Sequence, residues 1–260
     1  MGVAGALNNP AETSFAAEAQ RRLMIALDLP NALEARAFWE KLALPHAVCK
    51  VGLELLCSGG GIELARELSA AGIRVFVDAK LHDIGNTVER ASSRIAALGA
   101  AFLTVHAQDR ETLRAAMRGR GTASMKLLGV TVLTSANKES ISEQGISLSL
   151  DELVMKRASF AADAGFDGIV CSPLEAAPLK ASFGNRLSIV CPGIRPQNEQ
   201  SVRGDDQSRA ATPAGAIRNG ADYLVVGRPI LRAPDPAAAA RAIIADIAEA
   251  LRGLSQGSAL

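Results

Sequence analysis

Eight short apolar runs, several of them with alternating polar positions, predict β-strands along the chain. In the third run one face is apolar throughout, whereas the other carries Phe76, Asp78 and Lys80. Side chains alternate across a strand, so Asp78 and Lys80 are predicted to point the same way. The eight runs are 23–29, 47–53, 74–81, 101–107, 126–133, 168–172, 187–194 and 223–230.

Segments with the 3.6-residue period of amphipathic helices separate these runs. Examples are 62–71, 86–98, 151–164 and 236–251, and glycines follow several of them before the next strand. Eight strands alternating with helices predict an α/β fold, a single-domain (β/α)8 TIM barrel, with a doubly wound open sheet as the alternative. We expect a tail and short helix over residues 1–20, the barrel domain over 21–254 and a C-terminal tail over 255–260.

The composition excludes several classes of protein. The net charge is +1 at pH 7, with one Trp and one Tyr, so no surface for nucleic acid is predicted. No apolar run reaches the ~18 residues of a membrane span, and the N-terminal segment lacks a signal-peptide pattern. The four cysteines show no C-x-x-C spacing, which indicates buried reduced thiols. We therefore expect a cytoplasmic protein without nucleic-acid or membrane partners.

Charged side chains break the apolar pattern late in the first three predicted strands. They are Asp28, Lys50 and the pair Asp78 and Lys80, with Asp83 shortly after. An isolated acid and base two residues apart can be a solvated surface pair. The carboxyl ends of barrel strands converge, however, and burying such charges unpaired would cost several kcal/mol each. We therefore expect these five residues to form one network in a reaction site.

The loops after the seventh and eighth strands predict a phosphate site, which barrels commonly build there. They carry the segments 192–197 and 226–230, in which Gly227 lets backbone amides approach an anion and Arg228 can make a forked contact. The polar segment that follows Arg195 is either a mobile lid over the site or an ordinary surface loop. The hydroxyls of Thr134 and Ser135 can bind a ligand or cap the next segment.

Four motifs in one order resemble the orotidine 5′-phosphate decarboxylases of the longer bacterial-type group. They are D-x-K-x-H-D-I-x-N-T at 78–87, T-V-L-T-S at 131–135, P-G-I-R-P at 192–196 and V-V-G-R-P-I at 225–230. The resemblance covers 23–236. It implies conversion of orotidine 5′-monophosphate to UMP and CO₂, the last step of de novo pyrimidine nucleotide synthesis, without a metal or organic cofactor.

The resemblance also implies roles for individual residues. Lys80 would donate the proton to C6 of the pyrimidine, and Asp78 would lie against the departing carboxylate. Lys50 would orient Asp78, and Asp28 and Lys50 would hold the ribose hydroxyls. The remaining substrate-binding residues would be Thr134 and Ser135 at the pyrimidine edge and Arg195, Gln207, Gly227 and Arg228 at the phosphate.

A homodimer is the working unit that the resemblance implies, because Asp83 and Thr87 would reach into the neighbouring subunit's site. Two features depart from the family pattern. Gly85 stands where proline is usual, and the segment between Arg195 and Gln207 is longer than usual. The longer segment leaves Gln197, Asn198 and Gln200 as alternatives to Gln207.

Two other functions stay open at this point. Sugar-phosphate aldolases and decarboxylases of the same superfamily resemble the chain in D-x-K-x-x-D but bind Mg²⁺, which Glu54 and Asp78 could ligate here. The chain could also bind a phosphorylated metabolite without turning it over. The three histidines predict no metal site, and we expect His82 and His106 to have structural roles.

Overall fold

The structure is a computed structural model that describes residues 10–196 and 211–257. Its eight strands are Leu23–Ala26 (β1), Val48–Gly52 (β2), Arg74–Leu81 (β3), Phe102–His106 (β4), Lys126–Val130 (β5), Gly168–Val170 (β6), Ser188–Cys191 (β7) and Tyr223–Val226 (β8). Each strand pairs in parallel with the next, and β8 pairs with β1, so the sheet closes into a barrel. The predicted (β/α)8 TIM barrel is confirmed.

Helices connect the strands and cover the outside of the barrel. They are Pro10–Arg22 (α1), Ala32–Leu42 (α2), Leu53–Cys57 (α3), Gly61–Ala70 (α4), Gly85–Ala97 (α5), Arg110–Arg120 (α6), Lys138–Ser142 (α7), Leu150–Ala164 (α8), Ala176–Phe183 (α9), Pro213–Arg218 (α10), Arg228–Leu231 (α11) and Pro236–Gly257 (α12). Local sequence fixes their ends: Ser149 and Glu152 form a capping box at the start of α8, and Gly165, with a φ of 82°, ends it. Helix α12 continues to Gly257, into the expected C-terminal tail.

Two apolar layers lie on opposite sides of the sheet, as the strand alternation predicts. The layer inside the barrel contains Phe76 and Phe102, whose rings meet edge to face at 6.1 Å. The layer between strands and helices contains Val75 and Val77, both fully buried. Burying one such side chain contributes about 1.5–3 kcal/mol. Phe76 is the inward-facing residue before Asp78 on β3, so the inner layer forms the floor beneath the charged end of that strand.

Four predicted strands continue too far toward their carboxyl ends. The observed strands end at Ala26, Val130, Cys191 and Val226, several residues earlier than the apolar pattern suggests. The pattern persists because residues beyond the strand ends are also buried, for example Leu27 (0 % exposed) and Val132 (5 % exposed). The residues between the true and predicted strand ends therefore belong to the βα loops, where a barrel places its functional site.

Three of the four cysteines are buried, and all four are free thiols. Burial raises the pKa of the Cys49 thiol to about 12, with the Lys50 charge opposing the shift. Cys49 is therefore protonated and unreactive near neutral pH. Cys57 is exposed. Over the described ranges, none of the helices is both long and apolar enough to cross a membrane.

Candidate active site

A cavity of about 750 Å³ opens at the carboxyl ends of the strands. Its walls come from six of the eight strands, all except β4 and β7, and from several of the segments that follow the strands. Predicted site residues on these walls are Asp28, Lys50, Asp78, Lys80, Thr134, Arg195, Gly227 and Arg228. The fold therefore brings together residues from both halves of the chain, as the barrel prediction requires.

Asp78 lies at the centre of a network of four charged side chains. Lys80 Nζ donates to both carboxylate oxygens of Asp78 at 2.9 Å. Lys50 Nζ lies 3.3 Å from Asp78 Oδ2 and 3.1 Å from Asp28 Oδ1. Asp78 and Lys50 are only 8 % and 6 % exposed, whereas Asp28 is open to solvent. Two ammonium groups thus face two carboxylates, and the network balances its own charge.

The network fixes the charge states of its buried members. Burial alone would raise the pKa of Asp78, but the charges of Lys50 and Lys80 and the hydrogen bonds from Lys80 and Thr104 leave that pKa below its usual value. Burial would likewise lower the pKa of Lys50, but the Asp78 and Asp28 carboxylates leave it raised. Asp78 is therefore anionic and Lys50 cationic throughout the neutral range.

The backbone of β3 is irregular at Lys80. This residue has a φ of 47°, in the left-handed region that side chains with a Cβ rarely adopt. The pairing of β3 with β4 shifts register between Val77 and Leu81. Such bulges commonly re-aim a side chain beside an active site.

Thr104 on β4 contacts the network and was missed from the sequence. Its hydroxyl donates to Asp78 Oδ1 at 2.8 Å and accepts the backbone N–H of Lys80 at 3.0 Å. A signal was present: Thr104 is a polar residue at the middle of the inward face of β4, next to the charged face of β3. An inward polar residue on a strand adjoining charged positions is a natural member of the same network.

Gly52 at the end of β2 makes room for the Lys50 ammonium. A Cβ at this position would lie 2.6 Å from Lys50 Nζ and 3.0 Å from Asp28 Oδ1. Its φ of −94° is open to any residue, so the requirement is steric rather than conformational. The side chain of Lys50 is buried and held by two carboxylates, so it cannot move aside freely.

The expected phosphate residues that the structure describes line the cavity from the loops after β7 and β8, and β8 is the direct neighbour of β1 in the barrel. Gly227 precedes the short helix α11, which begins at Arg228, and both line the cavity. Arg195 is 7 % exposed, and its Nη1 donates to the carbonyl of Ile194 at 2.9 Å. Arg232 also lines the cavity and was not predicted. Gln207 and its alternatives Gln197, Asn198 and Gln200 lie outside the described residues.

Three predicted residues lie away from the cavity walls of the single chain: Ser135, Asp83 and Thr87. All three are exposed. The carboxylate of Asp83 accepts the N–H of Ile84 at 2.7 Å, so it holds the turn before α5 and is not part of the four-residue network. Ile84 itself is 73 % exposed, which leaves an apolar side chain on the surface next to Asp83.

His82 and His106 pack against each other beside the network, with ring centroids 5.9 Å apart. Burial lowers the pKa of His106, and the nearby charges of His82, Lys80 and Arg157 lower it further. His82 Nε2 lies 3.8 Å from Asp109 Oδ2. Within residues 10–196 and 211–257, no group of three His, Cys, Asp or Glu side chains is placed to hold a metal ion.

The chain is similar in sequence to proteins of known family. The sequence profile described as the orotidine 5′-phosphate decarboxylase / HUMPS family matches residues 21–243. An orotidine 5′-phosphate decarboxylase of Rhodopseudomonas palustris (strain BisA53) is 49 % identical over 230 residues, which cover 88 % of this chain and 96 % of the relative. That of Nitrobacter winogradskyi is 50 % identical over 234 residues, covering 90 % and 95 %.

Solved structures agree with the sequence relatives. The crystal structure of orotidine 5′-phosphate decarboxylase from Lactobacillus acidophilus aligns with a TM-score of 0.77 at 37 % identity, covering 87 % of this chain and 99 % of that one. An uncharacterized conserved protein from Geobacillus kaustophilus aligns with a TM-score of 0.73 at 33 % identity, covering 86 % and 99 %. The barrel and the charged network are consistent with these sequence similarities. The chain belongs to the orotidine 5′-phosphate decarboxylase / HUMPS family.

Proposed function

We propose that the cavity binds orotidine 5′-monophosphate and converts it to UMP and CO₂, with Lys80 protonating C6 of the pyrimidine. The observation that carries this proposal is the placement of Asp78 between two lysine ammonium groups at the base of the cavity. The family and its relatives named orotidine 5′-phosphate decarboxylase support the same reaction. The protein is accordingly a carboxy-lyase of pyrimidine nucleotide synthesis.

The reaction breaks the bond between C6 and the carboxylate carbon. CO₂ leaves, the electron pair stays at C6, and the Nζ proton of Lys80 is transferred to that pair. Solvent then returns a proton to Lys80. The ammonium group stabilises the negative charge as it develops on C6, which is the form of stabilisation that lowers a barrier most effectively.

Asp78 contributes repulsion toward the substrate carboxylate. Two like charges ~4 Å apart repel by about 4 kcal/mol at an effective dielectric near 20. Enzymes remove about 8–23 kcal/mol from their barriers, so repulsion supplies only part of the effect. The rest comes from Lys80 at the reacting carbon and from binding of the remote phosphate, which drives closure and exclusion of water.

The other predicted residues bind the parts of the substrate that do not react. Asp28 and Lys50 hold the ribose hydroxyls, and Thr134 and Ser135 contact the pyrimidine edge. Arg195, Gly227 and Arg228 take the phosphate together with Gln207. Their shared support is that Asp28, Lys50, Thr134, Arg195, Gly227 and Arg228 all line one cavity.

A homodimer is part of this proposal. Asp83 and Thr87 are exposed and lie off the cavity of their own chain, as residues that serve a neighbouring site would. The exposed apolar side chain of Ile84 lies between them in sequence and gives a second copy a surface to cover. The cytoplasmic location predicted from the sequence belongs to the same proposal, because the substrate and product are charged nucleotides.

The magnesium-dependent alternative fits the donor set less well. Glu54 and Asp78 both line the cavity, as that alternative requires. However, both oxygens of Asp78 already lie within hydrogen-bond distance of lysine ammonium groups. A divalent cation bound to Asp78 would lie beside two positive charges, which repel it.

The proposal is tested by adding purified protein to orotidine 5′-monophosphate in EDTA and following the loss of pyrimidine absorbance. Rapid loss with formation of UMP is expected. No loss of absorbance and no binding of the nucleotide would favour the sugar-phosphate alternative. Saturable binding without any product would favour a barrel that only binds a phosphorylated metabolite.

A further inference from the structure

We infer that Thr104 is a positioning residue for the decarboxylation, because its hydroxyl holds the Asp78 carboxylate and the Lys80 backbone in one fixed arrangement. This inference rests on the proposed function, and it assigns a role to a residue outside the substrate-contacting set. Thr104 is completely buried, and it is not among the residues that line the cavity. Any effect it has on the reaction must therefore pass through Asp78 and Lys80.

The hydrogen bonds around Thr104 have only one consistent direction. The backbone N–H of Lys80 can only donate, so Thr104 Oγ1 accepts there at 3.0 Å. The hydroxyl proton is then left for Asp78 Oδ1, which lies 2.8 Å away. This arrangement requires Asp78 to be an acceptor, and it stabilises the ionised form of that carboxylate.

The strand register explains why a threonine is needed at this point. Val77 pairs with Leu103 and Leu81 pairs with Val105, so the three residues from Asp78 to Lys80 face Thr104 alone. The regular ladder of backbone hydrogen bonds cannot continue through such a mismatch. The Thr104 hydroxyl accepts the Lys80 N–H instead, at the residue whose φ is 47°. One side chain thus supports the left-handed backbone from which the proton donor projects.

Loss of the hydroxyl would disturb both charged groups at once. The Lys80 N–H would lose its acceptor, and Asp78 Oδ1 would lose a donor that keeps it in place. Misplacement of catalytic groups by about 1 Å can slow a reaction by about 100-fold. Since Thr104 does not face the cavity, the effect should fall on kcat rather than on KM.

The test compares Thr104→Val, which keeps the shape and removes the hydroxyl, with Thr104→Ser, which keeps the hydroxyl. Turnover of orotidine 5′-monophosphate is measured from about pH 3 to 9, because the pKa of Asp78 lies below its usual value. Thr104→Val is expected to lower kcat by about 10- to 100-fold with KM changed less than about 3-fold. The acid limb of its pH profile should move to higher pH, because Asp78 loses a stabilising hydrogen bond. Thr104→Ser should stay within about 3-fold of the wild type in kcat.

Thr131→Val is the matched control. Thr131 is also completely buried, and its hydroxyl donates to the carbonyl of Val170 at 3.0 Å rather than to a charged group. This variant should keep wild-type kcat and pH profile even if its unfolding midpoint falls as far as that of Thr104→Val. If Thr104→Val does not fold, Thr104→Ala takes its place with the same expectations.

Two results would overturn the inference while leaving the proposed function intact. One is wild-type kcat and pH dependence in Thr104→Val. The other is Thr104→Ser being as slow as Thr104→Val, which would assign the effect to the methyl group and its packing. Absence of turnover in the wild type would instead overturn the proposed function, and with it any role of Thr104 in decarboxylation.

Discussion

The ammonium group of Lys80 lies 2.9 Å from both carboxylate oxygens of Asp78, two positions earlier on the same strand. Strand alternation places the two side chains on one face, and the left-handed backbone at Lys80 accompanies their close approach. An arriving substrate carboxylate must share this space. The pair therefore unites the repulsive group and the proton donor of the proposed reaction in one rigid unit.

Replacing Asp78 should damage both stability and turnover. Asp78→Asn removes a buried anion that faces Lys50 and Lys80. Leaving the buried Lys50 ammonium group without it should lower the free energy of unfolding by about 3 kcal/mol, measured by urea denaturation. We expect kcat to fall by at least about 100-fold. Glu54→Gln is the control, because it changes another carboxylate on the cavity wall and should leave kcat within about 3-fold unless Glu54 binds a metal.

Adding one methyl group at Gly52 should displace Lys50. The new Cβ would lie 2.6 Å from Lys50 Nζ, so Gly52→Ala forces the ammonium group out of its position between the carboxylates. Steady-state kinetics should show kcat/KM lowered by about 100-fold. Gly253→Ala, in the exposed part of α12 with nothing within 4 Å of the added atom, should retain full activity. Equal activity in the two variants would show that Lys50 relocates without consequence.

Removing the arginine that begins α11 at the cavity wall should slow the chemistry as well as weaken binding. Arg228→Ala is expected to lower kcat/KM by about 10- to 200-fold, the value of one charged hydrogen-bonding contact to phosphate. Part of the loss should persist at saturating substrate, because phosphate binding drives closure. Arg218→Ala, on the exposed side of α10, is the matched control. Near-normal kcat in Arg228→Ala would contradict the closure argument.

The charged network should contribute constant stability across the neutral range. The folded pKa of Asp78 is depressed, so its contribution is present above the unfolded value of about 3.9 and is lost as pH falls through the folded pKa. The folded pKa of Lys50 is raised, so its contribution is present below about 10.4 and is lost as pH rises through the folded pKa. The stability difference between wild type and Asp78→Asn should therefore be flat from about pH 5 to 9 and shrink in stronger acid. Urea denaturation at each pH measures it, and a steep change near pH 7 would be inconsistent with these shifts.

Mixing two inactive variants should restore activity if sites are shared between subunits. Lys80→Ala and Asp83→Asn are expected to be inactive as separate homodimers. In a mixed dimer, one site receives intact Lys80 from one protomer and intact Asp83 from the other. Random reassortment should then recover about one quarter of wild-type activity. No recovery after confirmed subunit exchange would mean that Asp83 does not serve the neighbouring site.

The barrel and most of the charged network were predictable from the sequence because both follow from alternation. Residues such as Asp78 and Lys80 interrupt an otherwise apolar strand, and the barrel brings the carboxyl ends of all strands together. Burial then requires the charges to pair with one another. The loops after the seventh and eighth strands indicated Gly227 and Arg228 on the same barrel argument, and the motifs supplied the roles of the remaining positions.

Alternation can place Thr104 beside the network, but it cannot give the hydrogen bond from the Lys80 backbone to Thr104 or the role of Gly52. Thr104 bonds to Lys80 because the β3–β4 register shifts, and a register shift leaves no mark in hydrophobic periodicity. Gly52 matters because of one close distance to Lys50 Nζ, which depends on the side-chain conformation of that lysine. The predicted carboxyl ends of several strands were also too late in the sequence, because buried loop residues such as Leu27 continue the apolar pattern.

The most direct test of the central claim is single-turnover decarboxylation of orotidine 5′-monophosphate by wild type and Lys80→Ala, with binding of UMP measured in parallel. We expect Lys80→Ala to bind UMP and to slow CO₂ release by at least about 1,000-fold, through loss of the proton donor. Lys156→Ala, an exposed lysine on α8, should match the wild type. CO₂ release by Lys80→Ala within tenfold of the wild type would contradict the assignment of Lys80 as the group that protonates C6.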